Sequence, residues 1–248
     1  MSDVRAKPIK RIAGGKAQSS GPGGAGGMQI TEDIHLVETV RGANVYLISG
    51  KDGSILVDSG MPGSGATLLR YLQQRPAESV KYLILTHADM DHIGGAAALK
   101  KATGATVAIG EGDAAALAGE RPSKPLSGPL GLLFRVVGKA IRVQHLQADR
   151  ILKDGDTIGG FRVIAVPGHT AGSLALWRPQ DRVLISGDAL LTDRHGGELA
   201  PRRVAAGDYA HALESAASLR QLNYQYLLPG HGRPRVKGVN ELTSRDRH

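Results

Sequence analysis

The stretch Tyr82-Leu83-Ile84-Leu85-Thr86-His87-Ala88-Asp89-Met90-Asp91-His92 decides how this chain is read. Its first four residues are an apolar run suited to a buried strand, and polar residues replace it at once. Four side chains able to bind metal, His87, Asp89, Asp91 and His92, then stand within six positions. A strand ending at Thr86 hands them to a loop and the start of a helix, where they can converge. Neutral imidazoles and carboxylates are ligands of zinc and of harder first-row metals. The run reads as half of a metal site.

Working outward, the same context recurs three times. His169 follows Val163-Ile164-Ala165-Val166 in Pro167-Gly168-His169-Thr170, and Asp188 follows Val183-Leu184-Ile185 in Ser186-Gly187-Asp188. His231 follows Tyr226-Leu227-Leu228 in Pro229-Gly230-His231-Gly232. Any one of these alone is an ordinary polar turn residue. Together they repeat one pattern, an apolar strand, a small residue and a ligand-type side chain, as expected when strands deliver their ends to one edge. Gly168, Gly187 and Gly230 let the backbone turn sharply beside a buried ion.

Short runs rich in β-branched residues alternate with helical patterns along the rest of the chain. Strands are predicted at 35–39, 43–49, 54–58, 81–86, 105–109, 161–166, 173–178, 183–187 and 225–228, and helices at 65–75, 92–102, 111–118, 129–142 and 208–221. Turns such as Lys51-Asp52-Gly53 and Pro179-Gln180-Asp181 imply hairpins and mixed sheets. Two sheets packed face to face and covered by helices account for both patterns.

Composition narrows the chemistry. The chain of 248 residues has no cysteine, which excludes disulfides, cysteine zinc sites and thiol catalysis. Any metal is therefore held by His, Asp or Glu. No uncharged apolar run is long enough to span a bilayer, and the basic start lacks the apolar core of a signal peptide, so a cytoplasmic protein without a membrane span is expected. Half of the net charge of +8 comes from residues 1–27, where Arg5, Lys7, Lys10, Arg11 and Lys16 face Asp3 alone. Charge so placed speaks to nonspecific association, and no specific nucleic-acid partner is expected.

Residues 1–27 read as a disordered, basic, Gly-rich tail with too little apolar surface to fold. Residues 28–248 read as one catalytic domain with an insertion at 119–143. Gly and Pro punctuate the first half of that insertion, while Leu133, Val136, Val137, Ala140 and Ile141 place an apolar stripe on a helix in the second. It reads as a helix docked on the body, as a flap at the substrate entrance or, as a third and weaker reading, as a membrane-surface helix.

Taken together, the Asp58 turn in Leu56-Val57-Asp58-Ser59-Gly60, the block from His87 to His92, and His169, Asp188 and His231 resemble the metallo-β-lactamase fold superfamily. They occur in the family's order and cover nearly all of residues 29–235. The resemblance implies an α/β fold, a four-layer αββα sandwich of two mixed β-sheets flanked by helices, with a two-metal site at its edge. By the same resemblance the first metal takes His87, Asp89 and His169, the second takes Asp91, His92 and His231, and Asp188 bridges them. Asp58 resembles a supporting aspartate that orients ligands. Asp89 stands where histidine is commonest. With three carboxylates and four histidines, zinc is the expected divalent metal, and iron or manganese also suit the set.

The implied activity is a hydrolase in which a metal-bound hydroxide attacks a small-molecule ester, lactone or thioester, with Asp91 and Asp188 as catalytic residues. Asp188 resembles the bridge of thioesterase-like and lactonase-like members more than the β-lactamases. With so little sequence after His231, no counterpart of the helical C-terminal domain with which glyoxalase II holds glutathione is expected. Two other readings stand beside this one: an iron-dependent oxidoreductase of the same fold, and a metal-free binding module. Of the remaining histidines, His195 in Arg194-His195-Gly196 is a candidate substrate contact, while His35, His145, His211 and His248 read as surface or packing residues.

Overall fold

Along β5 (Val80–Leu85), Leu83 and Leu85 join one apolar cluster while Ile84 joins another. Along β11 (Val183–Gly187) the same alternation sends Val183 and Ile185 to the cluster of Ile84, and Leu184 to a third. Side chains of a strand alternate between its faces, so the chain builds three apolar layers and the two sheets between them. The computed structural model describes residues 26–75, 79–125 and 143–237.

The first sheet has seven strands in sequence order: β1 (Gly27–Gln29), β2 (Ile34–Val37), β3 (Tyr46–Ile48), β4 (Ser54–Val57), β5, β6 (Thr106–Gly110) and β7 (Arg150–Leu152). It is antiparallel as far as β4 and parallel from β4 to β7. The second sheet has six strands, in the order β15 (Arg235–Val236), β14 (Tyr226–Pro229), β11, β10 (Leu174–Arg178), β9 (Phe161–Ala165) and β8 (Thr157–Ile158). Its β11 and β14 run parallel and its other pairs antiparallel. A two-stranded ribbon joins β12 (Leu191–Thr192) to β13 (Glu198–Leu199).

Ile34, Tyr46, Ile55, Val57, Phe161, Val163 and Leu176 fill the space between the sheets. On the outer face of the first sheet, Leu68 and Leu72 of α1 (Ser64–Gln73), Leu99 of α3 (Ala96–Thr103) and Leu117 of α4 (Ala114–Leu117) pack against Leu47, Leu56 and Val107. On the outer face of the second, Ala216 and Leu219 of α5 (Tyr209–Arg220) pack against Ala175, Leu184 and Leu227. The result is the αββα sandwich of two mixed sheets expected from the sequence. Among the described residues, no helix is long and apolar enough to cross a membrane.

Several boundaries differ from the sequence reading, each for a local reason. The helix expected at 92–102 is divided into α2 (Met90–Ile93) and α3 by Gly94 and Gly95. A Cβ at Gly94 would lie 2.1 Å from Pro62 N and one at Gly95 would lie 2.6 Å from Ser59 O, so the two glycines admit the Asp58–Pro62 loop against the helix. The helix expected at 111–118 opens as a tight 3-10 turn over Glu111–Asp113 before α4. The folded pattern starts one residue ahead of the expected Met28, with Gly27 in β1. Residues 1–25 of the expected tail lie outside the described residues, as do the helix expected at 129–142 and His248.

Candidate metal centre

In the first sheet β4 and β5 are parallel, so the turns that follow Val57 and Leu85 leave the same edge. They carry Asp58 and the Thr86-His87 pair. Asp89 then takes the N-cap position of α2, with extended backbone, and Asp91 and His92 lie within that helix. In the second sheet β9 and β11 point the same way, since each is antiparallel to β10, and β14 is parallel to β11. His169, Asp188 and His231 therefore leave three strands at one edge. All seven side chains expected as ligands meet there.

They meet as three overlapping groups of donor atoms, each lying within 4.8 Å of one another: His87, Asp89 and His169; Asp91, His92 and His231; and His87, His92 and Asp188. Each group could hold a metal ion, and the third takes one histidine from each of the others. His169 Nε2 lies 3.0 Å from Asp89 Oδ2, and His231 Nε2 lies 3.1 Å from Asp91 Oδ2. Asp188 stands between: its Oδ2 is 3.5 Å from His169 Nε2 and 3.7 Å from His231 Nε2. His87 and His92 are buried, yet among the described residues His87 Nε2 and Asp188 Oδ1 have no hydrogen-bond partner. Gly230 makes the close approach feasible, because a Cβ there would fall 2.2 Å from Asp188 Oδ1.

Around this cluster sit groups that aim it. Asp58, buried and in the left-handed region at φ 63°, accepts from Thr86 N at 2.8 Å and from His92 Nδ1 at 2.8 Å. With Nδ1 bonded to Asp58, Nε2 is the atom of His92 that faces the cluster. Burial works against charging His92, but Asp58, Asp188 and Asp91 outweigh it and push its pKa up to about 10. Burial likewise opposes the charge of Asp91, while His231 and His92 hold its carboxyl well below the usual range. For Asp89, burial is outweighed by His169, His87 and Lys124, and its pKa is also low. For His169, burial wins and lowers the pKa. The cluster thus keeps its carboxylates ionised, as a cation site requires.

The sequence reading missed Asp113. Its Oδ2 accepts from Ala88 N at 2.7 Å and from Thr170 Oγ1 at 2.8 Å, and its Oδ1 accepts from Gly172 N at 2.9 Å. One buried carboxylate so ties the His87 loop to the His169 loop. The signal was weak, since Gly110-Glu111-Gly112 separate Asp113 from the apolar Val107-Ala108-Ile109 and it stands in a helical stretch. Asp113→Ala is expected to leave these buried donors unpaired, costing about 3 kcal/mol in urea unfolding and roughly tenfold in metal affinity by chelator competition.

Also missed were Ser123 and Lys124, at the start of the expected insertion. Ser123 Oγ donates to Asp89 Oδ1 at 2.6 Å, and Lys124 Nζ lies 2.6 Å from Asp89 Oδ2. Both line a cavity of about 300 Å³, with Gly168, Thr170, Asp208 and His211, beside His169. His211 thereby borders the site, while His195 is not brought into the cluster: it is exposed and its ring accepts from Arg194 Nε at 2.8 Å.

The profile of the metallo-beta-lactamase superfamily matches residues 39–231. The probable metallo-hydrolase YflN of Bacillus subtilis is 31% identical over 233 residues, covering 84% of this chain and 87% of that protein. A hydroxyacylglutathione hydrolase of Ectopseudomonas mendocina is 31% identical over 129 residues, which are 52% of this chain and 40% of that enzyme. A crystal structure of a protein in a di-iron-bound form superposes with a TM-score of 0.62 at 28% identity, covering 82% of this chain and 92% of the other. The fold, the edge at which these side chains meet and the match across most of the sequence lead to one conclusion: the chain belongs to the metallo-beta-lactamase superfamily.

Proposed function

We propose that this protein is a metal-dependent hydrolase acting on a small-molecule ester, lactone or thioester. The observation that carries the reading is the pair of three-residue donor groups with Asp188 between them, in which the buried His87 Nε2 and Asp188 Oδ1 have no hydrogen-bond partner among the described residues. Buried polar atoms without partners are costly and call for a ligand. The residues present thus fit a two-metal centre, in which His87, Asp89 and His169 would hold one ion and Asp91, His92 and His231 the other, with Asp188 within reach of both groups. All seven ligands are N or O donors, a set that suits zinc and also iron or manganese.

When bound, such an ion pair lowers the pKa of water and polarises a carbonyl oxygen. The chain's own residues do the rest. Asp58 and Asp113 hold the ligand loops, Asp91 takes the proton lost by the attacking water and passes it to the leaving group, and Asp188 stands between the two donor groups. The cavity beside His169 receives one arm of the substrate. The relative named as a hydroxyacylglutathione hydrolase supports a thioester within this class, over the part of its length that aligns.

The similarity to a protein solved in a di-iron-bound form supports iron at the site, the metal that a second reading, an iron-dependent oxidoreductase, requires. The two are separated by metal analysis of protein prepared without added metal, followed by assays on thioester, lactone, ester and β-lactam panels and by oxygen uptake. Two divalent ions with turnover of a thioester, lactone or ester are expected. Bound iron with oxygen consumption and no hydrolysis would replace the first reading by the second.

A further inference from the structure

Asp89, offered above as a ligand, is already fully engaged by the chain itself. Ser123 Oγ donates to one of its oxygens and the Lys124 ammonium meets the other, each at 2.6 Å. The same ammonium lies 3.1 Å from His169 Nε2 and donates to Ala205 O at 2.9 Å. Two of the three donor residues of the His87, Asp89 and His169 group therefore face a protein cation. The other group differs, because among the described residues no lysine or arginine pairs with Asp91, and none pairs with Asp188.

An ammonium in contact with two donor atoms occupies their lone pairs and repels a divalent ion placed among them. It is also well held, since Ala205 anchors it from the opposite loop and its side chain is only 17% exposed. Asp89 and Lys124 make sense as a pair: a neutral imidazole at position 89 would give the ammonium no opposite charge, whereas a carboxylate does. We propose that Lys124 is a tethered cation that competes with metal at the His87, Asp89 and His169 group, so that the position of Asp91, His92 and His231 fills first. The second equivalent enters only as Lys124 leaves Asp89.

The inference rests on the metal reading above and goes beyond it, and its test reads binding rather than turnover. Metal-free protein is titrated with Zn²⁺ against a chromophoric chelator, and bound zinc is counted after gel filtration. The wild-type chain is expected to take one equivalent tightly and a second at least about tenfold more weakly. Lys124→Met is expected to tighten the second equivalent by roughly tenfold without changing the first, and Lys124→Arg to preserve the gap. Two equal equivalents in the wild type would overturn the proposal and leave the hydrolase reading standing, whether or not the variants fold. So would a Lys124→Met protein with wild-type circular dichroism whose second equivalent is unchanged or weaker. Failure of both proteins to bind any zinc, iron or manganese would overturn the proposal together with that reading.

Discussion

Asp188→Asn is expected to abolish two-metal binding and to lower kcat/KM by a factor on the order of a thousand, several kcal/mol of transition-state stabilisation. The carboxylate reaches both halves of the cluster, with Oδ1 at 3.5 Å from His92 Nε2 and Oδ2 at 3.5 Å from His169 Nε2. Burial opposes its charge, but the four surrounding histidines outweigh that and lower its pKa. Asparagine keeps the volume and removes the charge, and it offers one oxygen where two are needed. Because the shape is preserved, thermal unfolding of the metal-free variant should stay close to wild type. Metal counting and steady-state rates on the best substrate check this outcome. An Asp188→Asn protein that kept two ions and worked within a few-fold of wild type would remove Asp188 from the bridging position.

The second large effect is expected at Asp58, where two substitutions separate stability from metal binding. Asp58→Ala strips the buried acceptor from Thr86 N, Thr86 Oγ1 and His92 Nδ1. Breaking one partner from such a buried network costs about 3 to 5 kcal/mol, and alanine also tolerates the left-handed φ of 63° poorly. Asp58→Asn is gentler, since asparagine accepts that backbone and can still receive the Thr86 N–H. Its amide would then face His92 Nδ1 as a donor, forcing the imidazole proton onto Nε2, the atom aimed at the cluster. The fold should survive while metal affinity falls by roughly 10- to 100-fold. Urea midpoints and chelator competition, measured on both variants, decide it. If Asp58→Asn bound metal as wild type does, the tautomer argument would fail.

How much could be read from the sequence follows from what repeats in it. Each of His169, Asp188 and His231 stands just past an apolar strand, and the topology brings such ends together without any further signal. The alternation along β5 and β11 is likewise written in their residues. By contrast β8, β12, β13 and β15 have two residues each, too few for a period of two to register. Gly94 and Gly95 lie inside a convincing helical pattern, and only the approach of the Asp58–Pro62 loop explains the break they make. Lys124 was invisible because a lone lysine in a Pro- and Gly-rich segment carries no pattern. Its significance is purely spatial, arising where three loops meet. His195 differs again: its nearness to Asp188 in sequence does not bring its ring to the cluster, and the ring is exposed.

The donors come from both sheets: His87, Asp89, Asp91 and His92 follow β5, whereas His169, Asp188 and His231 follow β9, β11 and β14. Ions held among them would act as rivets, clamping the two halves of the sandwich at that edge. In a chain without cysteine this is a substitute for a covalent staple, joining segments far apart in sequence. Loss of metal would then do more than stop the chemistry. It would unlatch that rim and lower the resistance of the whole sandwich to heat and protease, because ligand affinity for the native state alone adds directly to its stability.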